Sequence, residues 1–371
     1  MNPASIERYR RDNENLQQNK SSPKSIKSLT SLKEELYRKG IELSEEEEAE
    51  IAQVTKKYPL RISSHYLSLI KERGDPIWNQ CIPSIKELTD QRGEEDPLNE
   101  ENEVPFLTHR YPDRCLLLVS NSCAMYCRFC TRKRKVGEET RNPTEKDLKK
   151  AMGYISEHKE IRDVILSGGD PLLLSNKNLE TILKDLREIS HIEMIRIGTR
   201  VPCTMPERVT PELCDMLKQY NKSPPIYINT HFEHPCEITP ESKVACEMLA
   251  DAGIPLGNQS VILKGVNDSP KIFKELNQKL LSMKVKPYYI YQPDPVRGTY
   301  HFIGSVEKGL DIIRALRGHT SGLAVPHFVI DSPGGGGKIP ILPQYAQIQE
   351  DGSVSMVNYK GNKYKYRIEP K

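Results

Sequence analysis

The sequence predicts an α/β protein built on a partial (β/α)6 barrel, with a helical region before the barrel and a β-hairpin extension after it. From about residue 105 onward, short apolar runs rich in β-branched residues alternate with amphipathic helical segments. Strands that alternate with helices pair in parallel through right-handed crossovers. Six such units are fewer than the eight of a complete barrel. An open, doubly wound sheet is the alternative that these patterns leave open.

The composition is that of a well-solvated chain of enzyme size. The 371 residues include 54 Lys and Arg against 51 Asp and Glu, so the formal net charge is only +3. This balance argues against a protein built mainly to coat nucleic acid. No apolar run approaches the roughly 20 residues that a membrane span needs, and the first residues lack the apolar core of a secretory signal. We therefore expect a cytoplasmic enzyme that binds neither membrane nor nucleic acid.

We divide the chain into four segments, which are a mobile polar tail (1–31), a helical region (32–104), the barrel (105–317) and a C-terminal segment (318–371). In the helical region, Ser44 followed by Glu47 predicts a capping box.

The barrel strands are expected at 115–120, 161–167, 193–199, 225–231, 255–263 and 287–292. The helices between them are expected to begin at the capping residues Thr144, Ser175, Thr210, Thr239 and Ser269. A further strand at 327–331 precedes a glycine-rich segment, and two hairpin turns are expected at Asp351-Gly352 and Gly361-Asn362.

Three of the nine cysteines lie within eight residues, directly after the first predicted barrel strand. Cys123, Cys127 and Cys130 have the spacing C-x3-C-x2-C. Three thiolates can bind three irons of a [4Fe–4S] cluster and leave the fourth iron open to another ligand. A structural zinc site needs four ligands, usually as two C-x2-C pairs, and no second pair is present. A zinc site completed from a distance and three packing thiols are the alternatives.

Lys338 follows four consecutive glycines, Gly334–Gly337. A phosphate-binding P-loop would need Ser or Thr after the lysine, where Ile339 stands. Lysine amines form Schiff bases with pyridoxal phosphate (PLP). The segment therefore predicts a lysine that is delivered to a buried aldehyde, with a flexible solvent-facing turn as the alternative.

The cysteine spacing, with Phe129 just before the last cysteine, resembles that of the radical S-adenosylmethionine (SAM) superfamily. In that superfamily the aromatic residue lies beside the adenine of SAM, and a glycine motif contacts its methionine amine. The second strand ends in such a motif, Ser167-Gly168-Gly169-Asp170. Combined with Lys338, these motifs resemble the lysine 2,3-aminomutase family from about His109 to Tyr345. The resemblance implies that the partial barrel is a radical SAM barrel.

The resemblance also implies roles for individual residues. Cys123, Cys127 and Cys130 would bind the [4Fe–4S] cluster, and Lys338 would bind PLP. Further implied contacts are Arg110 and Arg114 near the PLP phosphate, Tyr291 beside the PLP ring, Gln259 near the methionyl group of SAM, and Arg132 against the substrate carboxylate.

The implied activity is that of an isomerase that interconverts L-α-lysine and β-lysine. A 5′-deoxyadenosyl radical would start a 1,2-amino shift on the PLP external aldimine of the substrate. The lysine enzymes of the family are implied to hold the distal ammonium with two aspartates, and this chain has both, Asp294 and Asp331. The glutamate enzymes replace this pair with a lysine and an asparagine. Arginine also carries a distal cation and stays open as a substrate.

The resemblance further implies an electron donor such as ferredoxin or flavodoxin, and a homo-oligomer. Some relatives bind zinc between subunits through cysteines near the C-terminus, but here Cys246 is the last cysteine. We therefore expect no such zinc.

Three other classes of protein are alternatives: a radical SAM enzyme that docks RNA or protein on the basic run 132–135, a zinc-binding interaction module, and a PLP enzyme without radical chemistry.

Overall fold

The N-terminal region is largely helical but begins earlier than residue 32. The computed structural model describes residues 25–100, 104–137 and 142–367, so most of the expected tail lies outside the described residues. The region contains strands β1 (Ser25–Ile26) and β2 (Ile62–Ser63) and helices α1 (Leu29–Arg38), α2 (Glu45–Lys57), α3 (Ser64–Ser68), α4 (Pro76–Cys81) and α5 (Lys86–Thr89). The boundary expected at residue 31 is wrong, because β1 pairs with β2 and α1 starts at Leu29.

The first turn of α2 has the predicted capping box. The backbone N–H of Glu47 donates to Ser44 Oγ at 3.2 Å, and the backbone N–H of Ser44 donates to Glu47 Oε2 at 2.8 Å. These two bonds satisfy donors that have no partner inside the helix, so the local sequence alone fixes where α2 begins.

A nine-stranded sheet forms the centre of the structure. Its strands are β3 (Leu107–Tyr111), β4 (Arg114–Ser120), β5 (Asp163–Gly168), β6 (Met194–Gly198), β7 (Ile226–Thr230), β8 (Leu256–Val261), β9 (Val285–Tyr291), β10 (His327–Ser332) and β11 (Gly337–Pro340). The helices between them are α6 (Glu145–Glu157), α7 (Asn176–Arg187), α8 (Val201–Thr204), α9 (Pro211–Tyr220), α10 (Pro240–Asp251), α11 (Pro270–Ser282) and α12 (Val306–Leu316).

The strands lie in the sheet in the order in which they occur in the chain. Strands β4 to β10 are parallel, whereas β3 and β11 add antiparallel at the two edges. An open doubly wound sheet would reverse its strand order at a switch point, so that alternative is wrong. The two edge strands approach each other, because the backbone N–H of Lys338 on β11 donates to the Tyr111 hydroxyl on β3 at 2.8 Å. The result is the expected α/β fold with a nearly closed, partial barrel.

The predicted capping residues stand where the helices begin. Thr144, Ser175, Thr210 and Thr239 each accept a hydrogen bond from a backbone N–H of the first turn. Ser269 is the N-cap of α11 but makes no side-chain cap bond. The parallel strands are covered by helices, and Val164, Leu166 and Ile195 are among the fully buried residues of the core.

The C-terminal segment does not form a separate unit from residue 318. Strand β10, predicted from the sequence, and β11, which was not predicted, both belong to the central sheet. Beyond them, β12 (Ala346–Ile348), β13 (Val354–Val357) and β14 (Lys363–Tyr366) form an antiparallel sheet with turns at the two predicted positions. None of the described helices is long and apolar enough to cross a membrane.

Candidate active site

A cavity of about 930 Å³ runs through the barrel and is lined by residues from both ends of its strands. Asp163 and Lys286 lie at the amino ends, whereas Thr199 and His231 follow the carboxyl ends, where side chains from successive strands converge. Its lining includes every residue that the sequence singled out, namely Arg110, Arg114, Cys123, Cys127, Phe129, Cys130, Arg132, Ser167, Gly168, Gly169, Asp170, Gln259, Tyr291, Asp294, Asp331 and Lys338. The fold therefore brings together motifs that are more than 200 residues apart in the chain.

The three clustered cysteines differ from the other six in their exposure. Cys123, Cys127 and Cys130 are half-buried and face the cavity. Five of the others are buried in the core, and Cys236 is exposed. Burial raises the pKa of the Cys130 thiol to about 11, so iron binding would have to displace a proton there.

No group of three or more His, Cys, Asp or Glu side chains in the described part of the chain could hold a metal ion as it stands. In a [4Fe–4S] cluster each cysteine thiolate binds a different iron. The three thiols therefore need to surround a cluster rather than converge on one point, and three accessible thiols in one loop are a donor set that fits this requirement.

The cysteine loop is fixed from behind by the N-terminal region. The backbone N–H of Tyr126 donates to Arg61 O and that of Arg128 to Gln80 O, both at 2.9 Å. The Arg128 guanidinium forms two hydrogen bonds with the Glu87 carboxylate, which also pairs with Lys133 Nζ at 2.6 Å. This support lies outside the cavity and holds the loop against it.

The glycine motif lies at the carboxyl end of β5, next to the start of the cysteine loop. Gly168 has a φ of +125°, and a side chain on it would clash with Ser120 O. A side chain on Gly169 would clash with Ser122 O. Both glycines therefore permit the close approach of two backbone segments, in addition to the implied contact with the methionine amine of SAM.

Asp170 uses its carboxylate within the protein. It accepts hydrogen bonds from Thr199 Oγ1 at 2.6 Å, from the backbone N–H of Arg200 at 2.7 Å and from that of Leu172 at 3.0 Å. Burial raises the pKa of Asp170 to about 6. Asp170 therefore joins the carboxyl ends of β5 and β6 and positions the loop that carries Arg200.

Arg200 also lines the cavity, although no motif in the sequence singled it out. Its Nη1 donates to Cys127 Sγ at 2.8 Å, and its Nη2 pairs with Glu237 at 2.9 Å. The guanidinium lies 5.3 Å from the centre of the Phe129 ring, whose edge also faces His231. Arg200 and His231 lie just after the carboxyl ends of β6 and β7. This position at the end of a barrel strand is the signal that could have identified them.

Gln259 lies on β8 at a register irregularity and is half-buried in the cavity wall.

Lys338 lies on β11 directly opposite Asp331 on β10. Its Nζ is 3.2 Å from Asp331 Oδ2 and 5.4 Å from the centre of the Tyr291 ring. The glycines before it do not form a loose loop: Gly334, Gly335 and Gly337 all have positive φ and make the turn that connects the two strands. The geometry therefore fixes the lysine on a short strand with its amine in the cavity.

Arg110 and Arg114 lie on β3 and β4, at the edge of the sheet that approaches the strand of Lys338. Arg110 donates to Leu98 O. Arg114 lies 3.8 Å from the centre of the Tyr111 ring and pairs with Asp113 at 2.8 Å. Two cations on neighbouring strands, both lining the cavity, suit a bound phosphate.

Asp294 follows β9 and lies near Asp331. Burial, and secondly the neighbouring Asp331 carboxylate, raise the pKa of Asp294 to about 7. Two adjacent carboxylates at one end of a cavity form a site that favours a cation between them.

Arg132 already has a partner that the sequence analysis did not foresee. Glu100 binds it in a bidentate pair, with both N–O distances at 2.8 Å, and Arg132 Nη1 donates to Ser167 Oγ at 3.2 Å. Glu100 belongs to an acidic stretch of the kind that is usually exposed to solvent, and no motif indicated this contact.

Two family models match the chain. The radical SAM superfamily model matches residues 117–276, and a model described as lysine-2,3-aminomutase matches residues 313–371. The first spans the barrel from the cysteine loop to α11, and the second includes Lys338.

Curated relatives match over most of their lengths. An L-lysine 2,3-aminomutase of Methanococcus maripaludis is 51% identical over 91% of this chain and 78% of its own length. One of Clostridium subterminale is 51% identical over 88% and 79%. A glutamate 2,3-aminomutase of Clostridioides difficile is 46% identical over 90% and 79%. Identity of this extent, together with the two family models and the cavity, shows that the chain belongs to the lysine 2,3-aminomutase family.

Proposed function

We propose that this protein is an L-lysine 2,3-aminomutase that interconverts L-α-lysine and β-lysine. Membership of the family makes it an isomerase that acts on a free amino acid, and it implies a [4Fe–4S] cluster, SAM and PLP as cofactors. The observation that carries the proposal is that the cysteine loop, Lys338 and a pair of aspartates line one cavity.

The cysteine end of the cavity fits the cluster and SAM. Cys123, Cys127 and Cys130 would bind three irons, because they are accessible from the cavity and their loop is fixed from behind. Phe129 would lie beside the adenine. The backbone of Ser167, Gly168 and Gly169 would contact the methionine amine with Gln259 nearby, while Asp170 positions this wall.

The opposite end fits PLP. Lys338 would hold the cofactor covalently, Arg110 and Arg114 would bind its phosphate, and Tyr291 would flank the ring. The ammonium of Lys338 pairs with Asp331 in the structure.

When bound, the reduced cluster and SAM supply a carbon radical that abstracts hydrogen, and PLP supplies a π-bond through which the substrate nitrogen can migrate. The protein's own part is to position the substrate between these two ends. Arg132 would bind the carboxylate, and Asp294 and Asp331 would bind the distal ammonium. Buried apolar residues of the cavity wall, Phe129, Leu263 and Phe302, exclude water from the reacting atoms.

The aspartate pair favours lysine over glutamate. A carboxylate next to two acidic groups is repelled, and one close pair of charges interacts by about 4 kcal/mol at an effective dielectric of 20, before desolvation is counted. An aminomutase acting on arginine is the second candidate, because its guanidinium would also suit Asp294 and Asp331. A member that acts on glutamate, or a radical SAM enzyme with an RNA or protein substrate, lacks such support.

The proposal also includes an electron donor such as ferredoxin or flavodoxin, a homo-oligomer and a cytoplasmic location. The oligomer is supported by the C-terminal sheet, which exposes Ile348, Val357, Tyr364 and Tyr366. Sedimentation of the purified protein would test it, and a strictly monomeric species would contradict it.

A substitution at Lys338 tests the proposal. We expect Lys338→Ala to lose both the absorbance of covalently bound PLP and all conversion of L-lysine, with the iron content unchanged. The control is Lys286→Ala, another lysine of the cavity wall with no role in the proposal, which should keep covalent PLP. Normal activity of Lys338→Ala would contradict the proposal.

A further inference from the structure

A short segment before the barrel, residues 94–100, contributes Leu98 and Glu100 to the cavity wall and is called the strap here. Its backbone joins the parts of the site that come from distant regions of the chain. The bonds are Glu94 N–H to Pro295 O, Arg297 N–H to Glu94 O and Gly334 N–H to Pro97 O, each at 2.9 Å, and Arg110 to Leu98 O. The strap is therefore held next to Asp294, the glycine turn and Arg110.

The last residue of the strap, Glu100, binds Arg132 by one edge of its guanidinium. Nε donates to Oε2 and Nη2 donates to Oε1, both at 2.8 Å. Both side chains are 15% exposed. Although burial alone would raise the pKa of Glu100, the charge of Arg132 and its hydrogen bonds outweigh burial and lower it, so the carboxylate is ionised at neutral pH.

A guanidinium has five N–H donors. Within the described residues, Glu100 takes two of them and Ser167 Oγ takes a third, from Nη1. One N–H on each terminal nitrogen remains. The N–H that remains on Nη2 lies on the end edge of the guanidinium, the edge through which a second carboxylate can be bound.

Glu100 cannot move far from this position, because its backbone is fixed on both sides. Its N–H donates to Asp96 Oδ2 at 3.0 Å, and its carbonyl accepts from Thr108 Oγ1 at 2.8 Å. Asp96 in turn pairs with Arg134 at 2.8 Å. The carboxylate is thus a fixed reference against which the long Arg132 side chain is oriented.

We propose that Glu100 is a positioning residue for substrate recognition: it holds Arg132 by its side edge so that the end edge faces the substrate carboxylate. This inference rests on the proposed function, because it assumes that Arg132 binds that carboxylate. Glu100 itself touches neither substrate nor cofactor. The strap thereby links recognition of the carboxylate to the loops that carry the other binding groups.

The test compares L-lysine with 1,5-diaminopentane, which has both amines of lysine but no carboxylate. The holoenzyme and its Glu100→Gln variant are assayed for the KM of L-lysine, for inhibition by the diamine, and for equilibrium binding of L-lysine without SAM. We expect Glu100→Gln to raise the KM and the dissociation constant of L-lysine about tenfold, and to leave inhibition by the diamine unchanged. Glu100→Asp, which keeps the charge, should fall between the two.

The matched control is Glu95→Gln, on the same strap, because the Glu95 side chain pairs only loosely with Arg297 at 3.4 Å in an exposed setting. It should leave both constants unchanged. Equal weakening of lysine and diamine in Glu100→Gln would show a merely structural role and overturn the inference. Tighter binding of lysine would also overturn it, because Glu100 would then compete with the substrate.

The proposed function can fail separately. If Arg132→Gln leaves the affinity for L-lysine unchanged, the role of Arg132 is wrong. If Arg132→Gln weakens lysine binding while Glu100→Gln does not, only the positioning role of Glu100 is wrong.

Discussion

Two arginines of the same loop, four residues apart, are each bound by a glutamate in a bidentate pair, but the two pairs face opposite sides of the loop. Behind the loop, the side chains of Glu87 and Arg128 are 0% and 2% exposed. On the cavity side, those of Glu100 and Arg132 are both 15% exposed. The rear pair, Glu87 and Arg128, does not line the cavity and fixes the loop. The front pair, Glu100 and Arg132, lines the cavity and leaves an N–H donor of Arg132 for a ligand. The same chemistry therefore serves structure or recognition according to which side is open.

The rear pair is also more tightly coupled to other charges. Burial by itself would raise the pKa of Glu87, but the charges of Arg128 and Lys133 and their hydrogen bonds outweigh it and lower the pKa. Burial lowers the pKa of Lys133 to about 8. One carboxylate thus balances two buried cations, and removing it would leave both without compensation.

The largest expected effect on stability is therefore that of Glu87→Gln. We expect the free energy of unfolding of the cluster-free protein to fall by about 3–5 kcal/mol at neutral pH, because buried charges lose their partner. Urea denaturation under reducing conditions measures this loss. The neighbouring cations lower the folded pKa of Glu87 below its ordinary value, so the difference from the unaltered protein should disappear as the pH falls through this lowered pKa. A loss below about 1 kcal/mol would contradict the distinction between the two pairs.

The second effect concerns Asp294, a carboxylate of the cavity that forms no ion pair with an arginine of the described residues. Asp294 has a pKa of about 7, and its ionised form is required to bind an ammonium. We expect kcat/KM for L-lysine to rise about tenfold per pH unit below pH 7 and to level off above it. Asp294→Asn should lose this rise together with most of the activity. The same pH profile in Asp294→Asn would assign the titration to another group.

The third and smaller effect is that of Glu100→Gln on stability. Because the front pair is partly accessible to water, we expect a loss of only about 1 kcal/mol in the free energy of unfolding. Urea denaturation of this variant alongside Glu87→Gln gives the comparison directly. A loss as large as that of Glu87→Gln would mean that the front pair is structural as well.

The smallest effect is expected at the exposed end of the strap. Glu95→Gln removes an ion pair between side chains that are 51% and 38% exposed, and such pairs contribute little. Its melting temperature should equal that of the unaltered protein in a thermal scan. A clear decrease would indicate that the whole strap, rather than Glu100 alone, maintains the site.

Much of the fold was predictable because its signals are local. Thr144 and Thr239 mark helix starts through hydrogen bonds within a single turn, and the parallel strands contain short apolar runs, such as residues 164–166 of β5. Strand β11 was missed because it begins at the last of four consecutive glycines, which predict a turn rather than a strand. Its pairing with β10 depends on the positive φ of Gly335 and Gly337, which the sequence does not reveal.

The candidate site also contains some residues that the sequence predicts and others that it does not. The cysteine spacing and Lys338 were visible as motifs, and the fold brings them into one cavity. Glu100 was not predictable, because it lies 32 residues before Arg132 and its neighbours are acidic. Only the tertiary path of the strap, which passes Pro295 and Gly334, carries it to the arginine.

The central claim is tested most directly by the choice of substrate. The protein, reconstituted anaerobically with iron and sulfide, is incubated with SAM, a reductant and PLP, and separately with L-lysine, L-glutamate and L-arginine. We predict that β-lysine forms from L-lysine and that L-glutamate is not converted. Conversion of L-glutamate without conversion of L-lysine would contradict the assignment of Asp294 and Asp331, and with it the proposed function.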